Sequence, residues 1–257
     1  MSKLQEILKR CRAERGLTQE QAAAAIGVSA SLIGSFESGR MIPLPDTAAN
    51  LDNFYGTGDE IQQAAVEARE ARRPIWFRPW REIEDRAATL RYFQLSLVPG
   101  LLQTEEYARS VLDSGLRDIE EIEEETASRM ARQAAILDRE NPPVCVFILD
   151  AAVLRGGDPA VMKPQLLHLV DVGERPNVFI HVIPETAGLH PGRSGAFALA
   201  TLETGGLVGY MEDFLEGRVI NEPARVTGMD GVWQAISAVA LPCDMSRDLI
   251  LKMVDDR

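Results

Sequence analysis

Three short segments with helical character, each followed by a glycine, constrain the fold of the first forty residues. The first has apolar residues at the i, i+3, i+4, i+7 spacing of one helical face: Leu4, Ile7, Leu8 and Cys11. Gly16, Gly27 and Gly39 then stand where the three helices are expected to end, because glycine readily adopts the left-handed backbone of a helix C-terminus. The pattern predicts three helices of about eight to twelve residues.

Cap residues fix where the second and third of these helices begin. Thr18 with Gln21 three residues later is a capping-box pattern. Ser29 is an N-cap for a third helix that reaches about Ser38. Two short helices joined by a turn that contains glycine predict a helix-turn-helix.

The third helix has one apolar face and one face of small residues. Leu32, Ile33 and Phe36 are expected to pack on the first two helices. The opposite face carries Ala30, Ser31, Gly34, Ser35 and Ser38. A helix that enters the major groove needs an exposed face that permits close approach, so this face is the candidate for DNA contact.

The segments 17–23, 27–29 and 36–40, with Ile33 and Pro43, resemble the phage-repressor-type (xenobiotic-response-element type) helix-turn-helix. The resemblance implies that Gln19 contacts a phosphate, that Arg40 lies near the DNA backbone, and that Arg12 and Glu37 form a structural ion pair. Together with the small face of the third helix, it gives this DNA-binding set: Gln19, Ser29, Ala30, Ser31, Gly34, Ser35, Ser38 and Arg40.

The reading positions of that family often carry long polar side chains, whereas this chain has Ala30, Ser31 and Ser35. Serine provides no bidentate base contact, so we expect direct readout to be weak and specificity to rest on DNA shape and dimer spacing. The alternative is a protein-interaction (antitoxin-like) module whose main role is to bind a small partner protein.

Net charge limits the partners of the 257-residue chain. It carries a net charge of -12, and its first sixty residues are the least acidic part, with 6 Lys and Arg against 8 Asp and Glu. A general nucleic-acid coat is excluded, because nonspecific DNA affinity comes from phosphate neutralisation. The absence of a long apolar run or an apolar leader and the three scattered cysteines predict a cytoplasmic protein without membrane association.

The remaining sequence predicts a second, larger domain. Aromatic residues between positions 76 and 93 indicate the start of a new core. Strand-like apolar runs at 144–149, 178–183, 196–200 and 207–211 alternate with helical patterns. The expected fold class is multi-domain: an all-α helix-turn-helix domain (1–58), a helical linker (59–74) and an α+β (mixed α/β) regulatory domain (75–257).

The second domain resembles the C-terminal domain of WhiJ-like actinobacterial regulators. The segments that carry this resemblance are 98–104, 107–109, 129–133, 165–169, 176–178 and 182–190. The resemblance implies a transcriptional regulator with a possible small partner protein. A small-molecule effector is the other candidate, in a pocket predicted to be lined by Gln103, Arg129, Arg132, Gln133, His190 and Arg193.

We expect neither enzymatic activity nor a metal or cofactor. His168, His181 and His190 stand in no metal-ligand spacing, and the paired glycines at 156–157 and 205–206 indicate turns, not phosphate-binding loops. The predicted partners are double-stranded DNA and a second copy of the chain, since one small module buries too little DNA for useful specificity.

Overall fold

The computed structural model describes residues 2–72, 78–114, 118–213 and 216–256. The chain divides into two compact units. The first comprises residues 1–74 and 117–128, and the second comprises residues 75–116 and 129–257. Among the described residues, no helix is long and apolar enough to cross a membrane.

The first unit is helical. Its five N-terminal helices are α1 (Lys3–Glu14), α2 (Gln19–Ile26), α3 (Ala30–Ser38), α4 (Pro45–Tyr55) and α5 (Glu60–Arg72). Their core contains the predicted apolar face of α1 together with Ile33 and Phe36 of α3. Helix α5 lies where the sequence predicts a linker, and it adds Ile61, Ala64 and Ala65 to this core.

Local signals set the ends of α2 and α3. The Thr18 side chain accepts a hydrogen bond from the backbone N–H of Gln21, whose side chain in turn accepts from the Thr18 N–H. The Ser29 hydroxyl accepts from the Leu32 N–H. Both helices end at glycines with positive φ, Gly27 and Gly39. The capping box and the two glycine stops therefore lie where the sequence predicts them.

The second unit is built on one six-stranded sheet. Its strands are β1 (Ala87–Gln94), β2 (Val144–Asp150), β3 (Val178–Ile183), β4 (Phe197–Leu202), β5 (Leu207–Glu212) and β6 (Gly217–Ile220). Their order is β3-β2-β1-β4-β5-β6. The first three strands are parallel, and β4, β5 and β6 follow as antiparallel neighbours.

Helices cover both faces of this sheet. They are α6 (Arg78–Asp85), α7 (Glu105–Asp113), α9 (Pro159–Val172), α10 (Pro223–Ser237), α11 (Cys243–Asp255) and residues 129–137 of α8 (Ile119–Leu137). One core, with Tyr92, Phe147 and Leu166, lies on the face covered by α9 and α11. The other, with Phe93, Ile148 and Trp233, lies under α10. The expected fold class, a helical N-terminal region followed by a mixed α/β domain, is confirmed.

Two of the strands, β1 and β6, are not predicted by the sequence. Strand β1 pairs with both β2 and β4 at the centre of the sheet, although its sequence indicates only an aromatic-rich core segment. Strand β6 has four residues and is too short to show a pattern. Residues of β1 point alternately into the two cores, with Leu90 and Tyr92 in one and Phe93 in the other. This division follows from the position of β1 at the centre of the sheet.

Candidate nucleic-acid interface

A buried carboxylate joins the helices of the candidate DNA-binding module. Glu37, at the end of α3, has a side chain only 4% exposed. Arg12 of α1 donates to it through Nε (2.5 Å) and Nη2 (2.9 Å), and Gln19 of α2 donates through Nε2 (3.0 Å). The remaining Arg12 nitrogen, Nη1, donates to the Leu17 carbonyl at 2.8 Å. This cluster fixes α1, α2 and α3 to one another.

The hydrogen-bond donors determine the charge state of Glu37. Burial raises the pKa of this carboxyl, but the hydrogen bonds from Arg12 and Gln19 outweigh burial, and the pKa is lowered. Glu37 is therefore ionised near neutral pH. A charged carboxylate keeps the geometry of the three helices fixed, because charge-assisted hydrogen bonds are stronger than neutral ones.

Helices α2 and α3 approach closely at Gly34. A β-carbon at this position would lie 3.1 Å from Oε1 of Gln19. Gln19 is therefore held between the Gly34 backbone and the Glu37 carboxylate. The phosphate contact of Gln19 stays a prediction. In the structure, the Gln19 Nε2 already donates one hydrogen bond to Glu37.

The residues predicted to contact DNA differ in their exposure to solvent. Ser29, Ser31, Ser38 and Arg40 are exposed, whereas Gly34 and Ser35 are half-buried. Ala30 packs against the core of the first unit. Hydroxyl groups occupy much of the outer face, with Ser29 and Ser31 hydrogen-bonded to each other at 3.1 Å. Such a face permits close approach to DNA, but it offers only short donors and acceptors to base edges.

The end of α3 is held by a side chain of α1 and is followed by a glycine with positive φ. Gln5 donates through Nε2 to the Ser38 carbonyl at 2.7 Å. Gly39 has φ +75°, and a β-carbon there would lie 1.8 Å from the Gln5 Nε2. Arg40 follows directly and donates through Nε to the Ser38 hydroxyl at 3.2 Å.

Three of the six residues predicted to line a pocket in the second unit hold a turn in place. Arg129 donates to the Gln103 side chain at 2.7 Å, and Gln133 donates to the carbonyls of Gly100 and Gln103, both at 2.8 Å. Gln103 itself donates to the Val98 carbonyl at 2.7 Å. These contacts order residues 98–103.

Arg132, the fourth, pairs with a carboxylate for which the sequence shows no motif. Glu84 is fully buried and accepts from Arg132 through both oxygens and from the Trp80 Nε1 at 3.0 Å. Tyr92 also donates its hydroxyl hydrogen to Glu84. One carboxylate thus joins α6, β1 and α8 in the core of the second unit.

His190 and Arg193 lie at a different place from the first four. His190 Nε2 lies 3.2 Å from the Asp150 Oδ2, and Arg193 Nη2 lies 3.4 Å from the same oxygen. The His190 ring meets Phe93 edge-on, with ring centroids 6.0 Å apart, next to the core under α10. Asp150 directly follows the apolar run of β2, a position that marks the end of a parallel strand.

A cavity of about 100 Å³ opens at the end of the sheet where β1 finishes and β4 begins. Its aromatic walls are Trp80, Tyr92, Phe197 and Tyr210. Gln94, Arg132 and Glu212 supply its polar side chains, and the turn at 99–101 closes one side. Of the six residues predicted to line a pocket, Arg132 lines this cavity. The other five are not among its lining residues: Gln103, Arg129, Gln133, His190 and Arg193.

Two family models match the chain. The one described as a helix-turn-helix domain matches residues 6–65. The other, described as a domain of unknown function (DUF5753), matches residues 77–252. No curated protein and no solved structure matches the chain.

Proposed function

Because the chain belongs to the DUF5753 family and carries an N-terminal helix-turn-helix domain, we propose that it is a sequence-specific transcriptional regulator that binds its operator as a homodimer. The observation that carries this proposal is the outer face of α3. That face is free of long side chains, and the Arg12–Glu37–Gln19 cluster fixes it to the rest of the module. A rigid, small-residue helix is what close approach to a groove requires.

The proposed mode of recognition is DNA shape and half-site spacing. Ser31 and Ser35 form no bidentate pair with a base, and among the described residues Arg40 is the only cation between positions 16 and 68. Affinity therefore depends on a second copy of the module on the same duplex.

The test is selection of genomic fragments by the purified full-length protein, beside two variants that add equal negative charge. Ser31→Glu/Ser35→Glu places two carboxylates on the proposed DNA face, whereas Gln63→Glu/Val66→Glu places them on α5. We expect the wild type and the α5 variant to select discrete two-fold-symmetric sites and the α3 variant to lose them, because phosphates repel added carboxylates. Equal selection by all three proteins would contradict the assignment of α3.

The effects of half-site spacing and of base contacts are measured separately by altering the selected sites. Inserting base pairs between half-sites should weaken binding more than changing bases under α3, since serines discriminate bases weakly. Loss of binding only upon base changes, with spacing changes tolerated, would refute the proposed mode. Sedimentation equilibrium of the complex measures whether two copies bind each site.

The proposed role of the second unit is control of DNA binding, by a small ligand or by a partner protein as in the WhiJ-like regulators it resembles. Helix α8 supports this role because residues 119–128 belong to the first unit and residues 129–137 to the second. In the first unit, the Glu124 side chain accepts a hydrogen bond from the backbone N–H of Ile42, which follows the end of α3 in the chain. In the second, Arg132 lines the cavity. We propose α8 as the element that conveys the signal.

A further inference from the structure

The cavity of about 100 Å³ at the end of β1 lies at a change in strand direction. Strand β1 is parallel to β2 on one side and antiparallel to β4 on the other. It is also the point where the strand order reverses, and ligands of open α/β sheets bind beyond the carboxyl ends of strands at such a point. Gln94 closes β1 and Phe197 opens β4, and both residues line the cavity.

The charges around this cavity do not balance. The guanidinium of Arg132 is engaged on both oxygens of the buried Glu84, so these two charges compensate each other. Glu212 is exposed, and its Oε2 accepts the Tyr210 hydroxyl at 3.1 Å. In the described parts of the chain Glu212 forms no ion pair, while the nearby Arg218 pairs with Asp213 and Glu216. The lining thus carries one uncompensated negative charge.

The walls favour a cation with an apolar surface. The rings of Trp80 and Tyr210 are stacked with centroids 4.9 Å apart, and Tyr92 meets Trp80 edge-on. Aromatic walls beside a carboxylate suit an alkylammonium group, because its methyl groups contact the apolar rings and the carboxylate compensates its charge. An anion would instead face Glu212 and an arginine already committed to Glu84.

We propose that this cavity binds a small alkylammonium group, the size of a trimethylammonium head, with Glu212 as its counter-ion. An apolar cavity of about 150 Å³ accommodates a benzene ring, so a cavity of this scale suits a compact head group. The inference rests on the proposed function, since it gives the controlling unit a ligand class. The ligand would press on the wall formed by Arg132 and the turn at 99–101.

The experiment compares three probes of nearly equal shape on the full chain. Choline carries a trimethylammonium group, 3,3-dimethyl-1-butanol is its neutral carbon analogue, and pivalate is a compact anion. Isothermal titration measures affinity, and tryptophan fluorescence, to which Trp80 in the cavity wall contributes, gives a second signal. We expect choline to bind at least about tenfold more tightly than the alcohol and pivalate to show no binding.

Two variants test whether Glu212 causes the preference for choline over the neutral alcohol. Glu212→Gln keeps the shape of the side chain and should remove most of the preference for choline over the alcohol. Glu216→Gln, in the same hairpin but outside the lining, should leave that preference unchanged. The proposal is overturned if choline fails to bind at up to about 10 mM, if the alcohol or pivalate binds as well, or if Glu212→Gln keeps the preference.

DNA selection on the same preparations distinguishes the two proposals. A protein that selects discrete operators but does not prefer choline refutes the cavity assignment alone. A protein that prefers choline through Glu212 but selects no DNA refutes the regulator proposal alone. If both hold, choline should change the operator affinity of the wild type and leave that of Glu212→Gln unchanged.

Discussion

Removal of the Glu37 charge tests whether the buried cluster holds the DNA-binding module together. Glu37→Gln preserves the volume of the side chain but leaves Arg12 facing a neutral amide. Breaking one side of a fully buried ion pair costs about 3 to 5 kcal/mol. The Arg12 side chain is 22% exposed and keeps its hydrogen bond to Leu17, so water and a carbonyl compensate part of the lost charge. We expect a loss of about 2 to 3 kcal/mol.

Hydrogen exchange measured by mass spectrometry on the full chain is the suitable assay, because it resolves the opening free energy of each segment. All three tryptophans lie outside residues 1–74 and 117–128, so their fluorescence reports on the second unit and serves as an internal control. Peptides from α1, α2 and α3 should exchange faster in Glu37→Gln, whereas peptides from α9 should not change.

The matched control removes an exposed ion pair in the same unit. Glu60 pairs with Arg10 at 3.0 Å, and both side chains are about half exposed. Glu60→Gln should have no measurable effect, since exposed pairs contribute little. The double variant Arg12→Met/Glu37→Met should recover part of the lost stability, because no unpaired charge is then buried. Equal effects of Glu37→Gln and Glu60→Gln would refute the reasoning.

Three further results are expected. Asp52 of α4 accepts hydrogen bonds from the backbone N–H groups of Ile61 and Gln62. Burial raises the pKa of Glu37 and Asp52, but their hydrogen-bond donors outweigh burial, and both pKa values are lowered. The stability that these carboxylates contribute is therefore complete above pH of about 5 and is lost as the pH falls through their lowered pKa values, which circular dichroism can follow. Gly39→Ala should destabilise the first unit more than Gly27→Ala in urea unfolding, because both glycines have positive φ but a β-carbon at Gly39 would also displace the Gln5 amide from the Ser38 carbonyl; equal losses would contradict the contact. Asp150→Asn should speed hydrogen exchange at 190–195 without changing α9, because the carboxylate holds both His190 and Arg193.

The sequence by itself determined the local features of the helix-turn-helix. The capping box at Thr18, the serine cap at Ser29 and the glycine stops act within a few residues, so their meaning does not depend on distant contacts. The periodicity of α1 likewise predicted its buried face. Four apolar runs predicted the strands β2, β3, β4 and β5 for the same reason, since each is long and continuous enough to show its type.

Tertiary structure decided the sites of the second unit. Glu84 has no motif around it, and its role follows only from the packing of α6 against β1 and α8. Asp150 and His190 are 40 residues apart and meet because the chain after β3 returns to the end of β2. The cavity is formed by the ends of β1, β4 and β5, and β1 and β4 are neighbours in the sheet although β2 and β3 lie between them in the chain. Long-range pairing of this kind leaves no periodic pattern in a single sequence, because each contact depends on residues far away along the chain.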